Sequence, residues 1–324
     1  MLLGHVRRTP ALIIANPKAG TDSFRLVPEL IDRCARFLPG VEVHRTTGPG
    51  DATAVARAAA SRSGAHDRPG LIFAVGGDGT VREVVEGLAA AGPADPAERP
   101  ALMVVPAGTG NSNYLAQWGD LPWRDALDAL AGTVGGPEPE IRMLDLCRLT
   151  ETGALVLLGA CSGLIAQALV FARDIPLTGR PRYRAALAQA AAVFRPYLGR
   201  VEVDGAVVHE GPTVLANIGG GRYRGGQYQV LPHSFLDDGL LDVCVIGAET
   251  DPQDVPELTR DGGHLDRPGV VYARGRRITV SDIGGEPMWF EHDGELLPRE
   301  HPAVTLEIMP GVLPTVCRGD RPVG

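Results

Sequence analysis

The stretch Leu71-Ile72-Phe73-Ala74-Val75-Gly76-Gly77-Asp78-Gly79-Thr80 decides how the rest of the chain is read. An unbroken apolar run that stops at glycine reads as a strand buried on both faces, the kind that parallel sheets contain. Beyond it Val81, Val84, Val85 and Leu88 recur at helical spacing, with Arg82, Glu83 and Glu86 on the other side. The glycines therefore mark a passage from a strand end to a helix start. Backbone without Cβ lets a phosphate approach closely, and the first free N–H groups of a helix point at it. Asp78 is the anomaly. A carboxylate beside phosphate oxygens is repelled unless a divalent cation or a proton stands between them. The plainer alternative is a Gly-rich turn in which Asp78 caps the helix.

The same punctuation recurs on both sides. Upstream, Ala11-Leu12-Ile13-Ile14-Ala15 empties into Asn16-Pro17-Lys18-Ala19-Gly20, and Leu26, Leu30, Ile31, Cys34 and Phe37 then form a helical stripe that stops at Pro39-Gly40. A short strand, 41–44, leads to Arg45-Thr46-Thr47-Gly48-Pro49-Gly50, after which Asp51 is placed as N-cap of an Ala-rich helix. Downstream, 101–105 reads as a fourth strand and ends in Pro106-Ala107-Gly108-Thr109-Gly110-Asn111. Strands alternating with helices give a parallel sheet with right-handed crossovers, so all four loops leave the same edge. Ligands of such sheets lie at the carboxyl ends of the strands, and the loops predict one nucleotide-sized site.

From about residue 136 the rhythm changes. Segments 141–149, 155–161, 200–208, 213–217, 240–246, 270–280, 289–292 and 304–309 read as short strands, with one clear helix at 183–194, and predict an antiparallel sandwich or barrel. The expected domains are 8–135, α/β and nucleotide-binding, and 136–310, all-β, with the tail 311–324 returning to the first. The segment 154–172 is nearly long enough to span a membrane, but Gly159, Ser162 and Gly163 divide it into a strand and a helix start.

A chain of 324 residues with 44% hydrophobic and 22% charged residues is that of an ordinary globular protein. Its net charge of −8 argues against a nucleic-acid partner. The five cysteines, Cys34, Cys147, Cys161, Cys244 and Cys317, form no CxxC pair and fit buried thiols in a reducing compartment. No secretory signal opens the sequence, so a cytoplasmic location is expected. No histidine pair has metal-ligand spacing and no Ser/His/Asp set stands out, which leaves hydrolase chemistry without support.

Five motifs in order, Asn16 to Gly20, Gly76 to Thr80, Pro106 to Asn111, Asp237-Asp238-Gly239-Leu240-Leu241-Asp242 and Asp293-Gly294-Glu295, resemble those of the diacylglycerol kinase catalytic family, which includes bacterial lipid kinases and relatives of the sphingosine kinases. The resemblance runs from about residue 10 to 310. It implies an N-terminal α/β domain of the kind shared with NAD kinases, a C-terminal antiparallel β-sandwich, and ATP with Mg²⁺ in a cleft. By the same resemblance, Asn16, Pro17, Lys18, Ala19, Gly20, Thr46, Gly76, Gly77, Asp78, Gly79, Thr80, Val81, Arg82, Thr109 and Asn111 hold the nucleotide. Asp293 takes the proton of the acceptor hydroxyl, Glu295 and Asp78 place a catalytic Mg²⁺, and a structural Mg²⁺ is bound by Asp238 with the carbonyls of Phe235 and Leu240. Two departures stand out: Ala19 replaces the usual serine, and Ser112-Asn113-Tyr114-Leu115-Ala116 replaces Asp-Phe-Ala after the fourth loop.

Read without the resemblance, Asp293-Gly294 suits a hairpin turn equally well, and the acidic loop at 237–242 suits either a solvated turn or a hard cation. Arg173, Arg180, Arg182, Arg184, Arg195 and Arg200 face only Asp174 in their stretch, interleaved with Tyr183, Phe194 and Tyr197. That composition suits docking on an anionic bilayer to extract a lipid alcohol, or a solvated helix face. Arg222 or Arg224, in a Gly-rich loop, is read as a phosphate contact or, more plainly, as a surface arginine. The expected activity is ATP-dependent phosphorylation of a diacylglycerol-like lipid by a peripherally membrane-associated enzyme, with monomer and homodimer both open. The rivals are an NAD kinase or other alcohol kinase, and a non-catalytic lipid-binding homologue. The NAD kinase reading lacks its Asn-Glu pair between Thr80 and Met143.

Overall fold

The apolar segments Ala11–Ala15 (β1), Val41–Arg45 (β2), Leu71–Gly76 (β3) and Ala101–Pro106 (β4) become four parallel strands in the order β2-β1-β3-β4. Every residue of β1 and β3 is buried, which is why neither shows polar alternation. Helices Leu2–Val6 (α1), Ser23–Cys34 (α2), Asp51–Ala60 (α3), Asp78–Ala89 (α4), Ser112–Trp118 (α5) and Trp123–Ala131 (α6) connect or flank them. The computed structural model describes residues 2–20, 23–64, 67–91, 95–133 and 138–319. The chain divides into two compact units, Met1–Leu144 with Gly311–Gly324, and Asp145–Pro310. Part of the boundary stretch read from sequence, 134–137, lies outside the described residues.

Within the first unit the chain goes from β1 to β2 on one side and returns to β3 on the other. That reversal makes a crevice at the carboxyl ends of β1 and β3, where the loops 16–20 and 76–79 begin. Two caps differ from the sequence reading. The residue before α3 is Gly50 in a left-handed conformation, and Asp51 is the first helical residue. Its carboxylate accepts the N–H and hydroxyl of Thr47 and contacts His44, which pins the preceding turn and holds its pKa below the usual carboxylate range. Likewise Gly77, not Asp78, is the N-cap of α4.

The second unit comprises Pro139–Leu149 (β5, its first residues in the first unit), Leu155–Val156 (β6), Ala160–Gly163 (β7), Leu164–Ala172 (α7), Gly179–Val193 (α8), Tyr197–Val203 (β8), Ala206–Gly219 (β9), Tyr223–Arg224 (β10), Tyr228–Gln229 (β11), Leu241–Gly247 (β12), Val255–Leu258 (α9), Val270–Gly275 (β13), Arg277–Asp282 (β14), Phe290–His292 (β15), Glu295–Leu296 (β16) and Ala303–Arg318 (β17). The end of β17 belongs to the first unit, where Thr315 pairs in parallel with Leu102. The antiparallel pairs are β5-β6, β10-β11, β16-β15, β15-β7, β7-β9, β9-β8, β8-β14, β14-β17, β9-β12 and β12-β13. The long β9 carries two packed layers. One face meets Val201, Val203, Ile278, Val280, Val304 and Leu306 in the sandwich core. The other lies under α7 and α8, with Cys161, Cys244, Leu164 and Leu187.

Three segments read as single strands are each two elements. The 200–208 segment is a hairpin turning at Asp204-Gly205, with Asp204 at φ 50 and its carboxylate accepting the N–H groups of Arg276 and Arg277. The 270–280 segment breaks at Arg276, and 155–161 breaks between Val156 and Ala160. A second full helix, α7, stands beside the one read from sequence. All five cysteines are free and buried. Among the described residues no helix is long and apolar enough to cross a membrane.

Candidate active site

In the first unit three of the four loops, 16–20, 76–80 and 106–111, approach one another closely. A Cβ on Gly20 would lie 2.2 Å from the Ala107 carbonyl oxygen, and one on Gly108 would lie 2.4 Å from the Cα of Gly77. Asn16 donates its side-chain amide to the Thr80 hydroxyl at 3.2 Å and accepts the Lys18 N–H at 2.9 Å, tying the first loop to the start of α4. Asn111, left-handed at φ 56, closes the fourth loop by accepting the Gly108 N–H and donating to the Gly108 carbonyl. Gly79 is different. It is exposed, its φ is not positive, and a Cβ there would meet no atom within 4 Å. Among the described residues nothing requires glycine at this position, and its bare backbone leaves the first turn of α4 open to close approach.

Asp78 does not face open space. Its Oδ2 accepts the Ser112 N–H at 3.0 Å, and its Oδ1 accepts the backbone and side-chain N–H groups of Asn113 at 3.0 and 2.9 Å. The carboxylate thus caps α5 from the first turn of α4, and of its three donors only the Asn113 side-chain amide is owed to the departure at 112–113. Arg82 pairs with Glu86, and Val81 is 1% exposed, so Val81 offers a ligand only its backbone. Lys18 and Thr109 are exposed and Thr46 is half-buried, its N–H bonded to the Ala15 carbonyl.

In the second unit the break between β6 and β7 has a purpose. The N–H groups of Leu157, Leu158 and Gly159 converge on the Asp293 carboxylate at 2.8, 2.9 and 3.3 Å, and Asp293 returns its own N–H to the Gly159 carbonyl at 3.0 Å. A continuous strand could not aim three successive N–H groups at one side chain. Asp293 sits at φ 47, a conformation uncommon outside glycine, between β15 and β16. Burial pushes its pKa up, while the three N–H groups and His292 pull against that shift. Glu295 follows as the exposed first residue of β16.

Sequence reasoning passed over Glu291 and favoured a surface place for Arg224. Glu291 is 3% exposed and accepts the Gly294 N–H at 2.8 Å. Burial pushes its pKa up to about 7, against the lowering effect of Arg224. Its neutral form is therefore favoured in the folded state, and stability declines as pH rises from about 4.5 to about 7. We expect Glu291→Gln to raise the thermal midpoint by a few degrees at pH 8 and not at pH 4. Arg224 is buried, contrary to its reading as a surface residue, and donates to Asn217, Gly221, Tyr223 and Ile218. Arg222 donates to the Ser234 carbonyl and stacks on Phe235.

Beside this turn lies an open pocket of about 290 Å³ lined by Leu169, Ala172, Arg173, Arg182, Tyr183 and Leu296, with Gly179 and Gly294. Its lining, drawn from α7, α8 and the 294–296 turn, sets the apolar Leu169, Ala172 and Leu296 beside the basic Arg173 and Arg182.

The acidic loop is closed from within. Asp238 accepts the Leu240 N–H at 3.1 Å and forms an ion pair with Arg274, whose Nε lies 3.2 Å from Asp242. Asp242 is fully buried, which pushes its pKa up. The guanidinium already supplies the positive charge, so this donor set does not fit a resident Mg²⁺. EDTA is expected to leave the thermal midpoint unchanged, whereas Arg274→Ala is expected to cost about 1–3 kcal/mol by leaving two carboxylates without a counter-charge.

An α/β unit with glycine loops at its strand ends, followed along the chain by an antiparallel β unit, is the fold shared by diacylglycerol kinases and NAD kinases. The diacylglycerol kinase catalytic domain model matches residues 10–137, and the YegS C-terminal NAD kinase beta sandwich-like domain model matches residues 160–317. The chain carries matches to both of these domains, and its curated homologues are diacylglycerol kinases, phosphotransferases of the kinase class. The diacylglycerol kinase of Bacillus subtilis (strain 168) is 29% identical over 301 residues, covering 90% of this chain and 92% of the relative. Among solved structures, a diacylglycerol kinase from Bacillus anthracis str. Sterne superposes with a TM-score of 0.66 at 21% identity over 96% of this chain and 97% of that one. An NAD kinase from Archaeoglobus fulgidus in complex with ATP gives 0.50 at 14% identity over 97% and 94%. The two structural likenesses speak for the fold.

Proposed function

We propose that the protein transfers the γ-phosphate of ATP to a hydroxyl of a diacylglycerol-like lipid. The observation that carries this is the Asp293 carboxylate, oriented by three N–H groups next to a pocket lined by apolar and basic side chains. Phosphoryl transfer asks a protein mainly to align two oxygens and to offset charge. The loops 16–20, 76–79 and 106–111 hold the phosphates through backbone donors. Asp293 accepts the proton of the lipid hydroxyl while its oxygen bonds to the γ-phosphorus, and the β–γ bridging P–O bond breaks with its electron pair going to ADP. Mg²⁺ bound with the nucleotide would offset charge on the phosphate oxygens, and Glu295 would be the carboxylate that holds it, since Asp78 is engaged at α5.

The apolar lining accepts acyl chain, and exposed Leu177 and Val193, at either end of α8, together with Arg180 and Arg184, support contact with an anionic bilayer. Of the arginines counted from sequence, Arg200 is paired with Glu210 and takes no part. The test is transfer of labelled phosphate from ATP with Mg²⁺ to diacylglycerol, phosphatidylglycerol, sphingosine and ceramide in mixed micelles, with NAD as a soluble control. Labelled diacylglycerol supports the reading. Label in NAD alone, or in no lipid, contradicts it.

A further inference from the structure

The turn that presents Asp293 is held from behind by a second buried acid. Side chains alternate along β15, so Phe290 enters the sandwich core and Glu291 emerges on the face covered by α7 and α8. There it falls in a cross-strand row with Cys161, Asn217 and Cys244. The hydrogen bond from Gly294 to Glu291 spans Asp293 itself, the residue at φ 47, and Gly294 follows at φ 86. The bond therefore locks the two left-handed residues that aim the carboxylate.

Arg224 acts on the other side of the cradle. Its guanidinium packs directly on Gly159, since a Cβ there would fall 2.0 Å from Nη2, and Gly159 is the residue that both donates to and accepts from Asp293. Asn217 and three carbonyls hold the guanidinium still. The groups facing Glu291 are Arg224, Asp293, the Cys161 thiol and the Tyr183 phenol, and burial keeps both of the latter protonated. One buried cation thus stands among two buried carboxylates.

We propose that Glu291 and Arg224 are positioning residues for Asp293, Glu291 fixing the Asp293–Gly294 turn and Arg224 fixing the Gly159 side of the cradle. The consequence for turnover rests on the kinase reading above; the positioning itself is measurable without it. The experiment compares wild type, Glu291→Ala and Glu291→Gln by kcat and KM for ATP across pH 5.5–9, and by hydrogen exchange at residues 157–159 and 294. Glu291→Ala is expected to lower kcat about 10²-fold through a misplaced base while KM for ATP stays within about twofold, and to speed exchange at those amides about tenfold. Glu291→Gln still accepts the Gly294 N–H and is expected to restore most of kcat. Unchanged kcat and exchange in Glu291→Ala, or a glutamine variant as impaired as alanine at every pH, overturns the proposal. If the alanine variant does not fold, the glutamine variant decides alone: kcat within about threefold of wild type with unchanged exchange at residue 294 supports the proposal, and a loss of kcat as large as that expected of alanine overturns it. Wild-type protein inactive on every lipid contradicts the kinase reading, while the exchange comparison still judges the positioning.

Discussion

Asp293→Asn is expected to lower kcat by about 10²–10⁴-fold, the contribution of a placed base, with little change in KM for ATP. The substitution is informative because the fold tolerates it. Asparagine is among the residues that adopt left-handed dihedrals readily, so the φ of 47 at this turn remains accessible. One amide oxygen continues to accept the Leu158 and Gly159 N–H groups, while the amide nitrogen faces the Leu157 N–H and loses that bond. The stability loss is then about 1–3 kcal/mol for one unmet buried donor. A thermal midpoint and a kcat measured on the same preparation separate the two effects: a folded protein with a small loss of turnover would mean that Asp293 is not the proton acceptor.

Gly79→Ala is expected to move stability and nucleotide binding in opposite directions. Position 79 lies in the first turn of α4 with ordinary dihedrals and free space around its missing Cβ, so alanine removes backbone freedom from the unfolded chain and favours the helix by up to about 1 kcal/mol. The same methyl occupies the space a phosphate must enter, and we expect ATP affinity to fall about tenfold or more. Calorimetric titration with ATP, beside a thermal melt, reads both. Its neighbours behave differently: alanine at Gly76 would meet the Thr80 hydroxyl at 2.4 Å and at Gly108 the Gly77 backbone, so those variants lose fold and binding together.

The sequence made the first unit legible because its signals are local. Each buried parallel strand is a continuous apolar run ending in glycine, and the loops between strand and helix announce the crevice before any contact is known. Asp78 shows where that reading stopped. Its engagement with Ser112 and Asn113, 34 and 35 residues on, depends on tertiary packing, so the sequence offered a metal or a cap on its own helix, and the structure places it as a cap on α5. In the second unit the strands were found but their interruptions were not. An Asp-Gly pair at 204–205 was a turn signal hidden inside an apolar segment, and the break at 157–159 carries no turn residue before Gly159. That break makes sense only once Asp293, over 130 residues away, is seen to collect its N–H groups. Glu291 and Arg224 were illegible for the same reason, since a charged residue is read as exposed until a partner is known, and here the partners come from distant strands. The signal for Glu291 was its alternation with Phe290 along a strand leading into Asp-Gly, which sets an acid on a face that α7 and α8 cover.

The most direct test of the account is the transfer of labelled γ-phosphate from ATP to diacylglycerol in mixed micelles, run with wild type and Asp293→Asn in parallel and with ATP binding measured for both. The account predicts labelled phosphatidic acid from wild type, lost by about 10²-fold or more in the variant, with ATP bound equally by the two. Equal labelling by both proteins would contradict Asp293 as the base, and ATP binding without labelled lipid from wild type would contradict the lipid kinase itself.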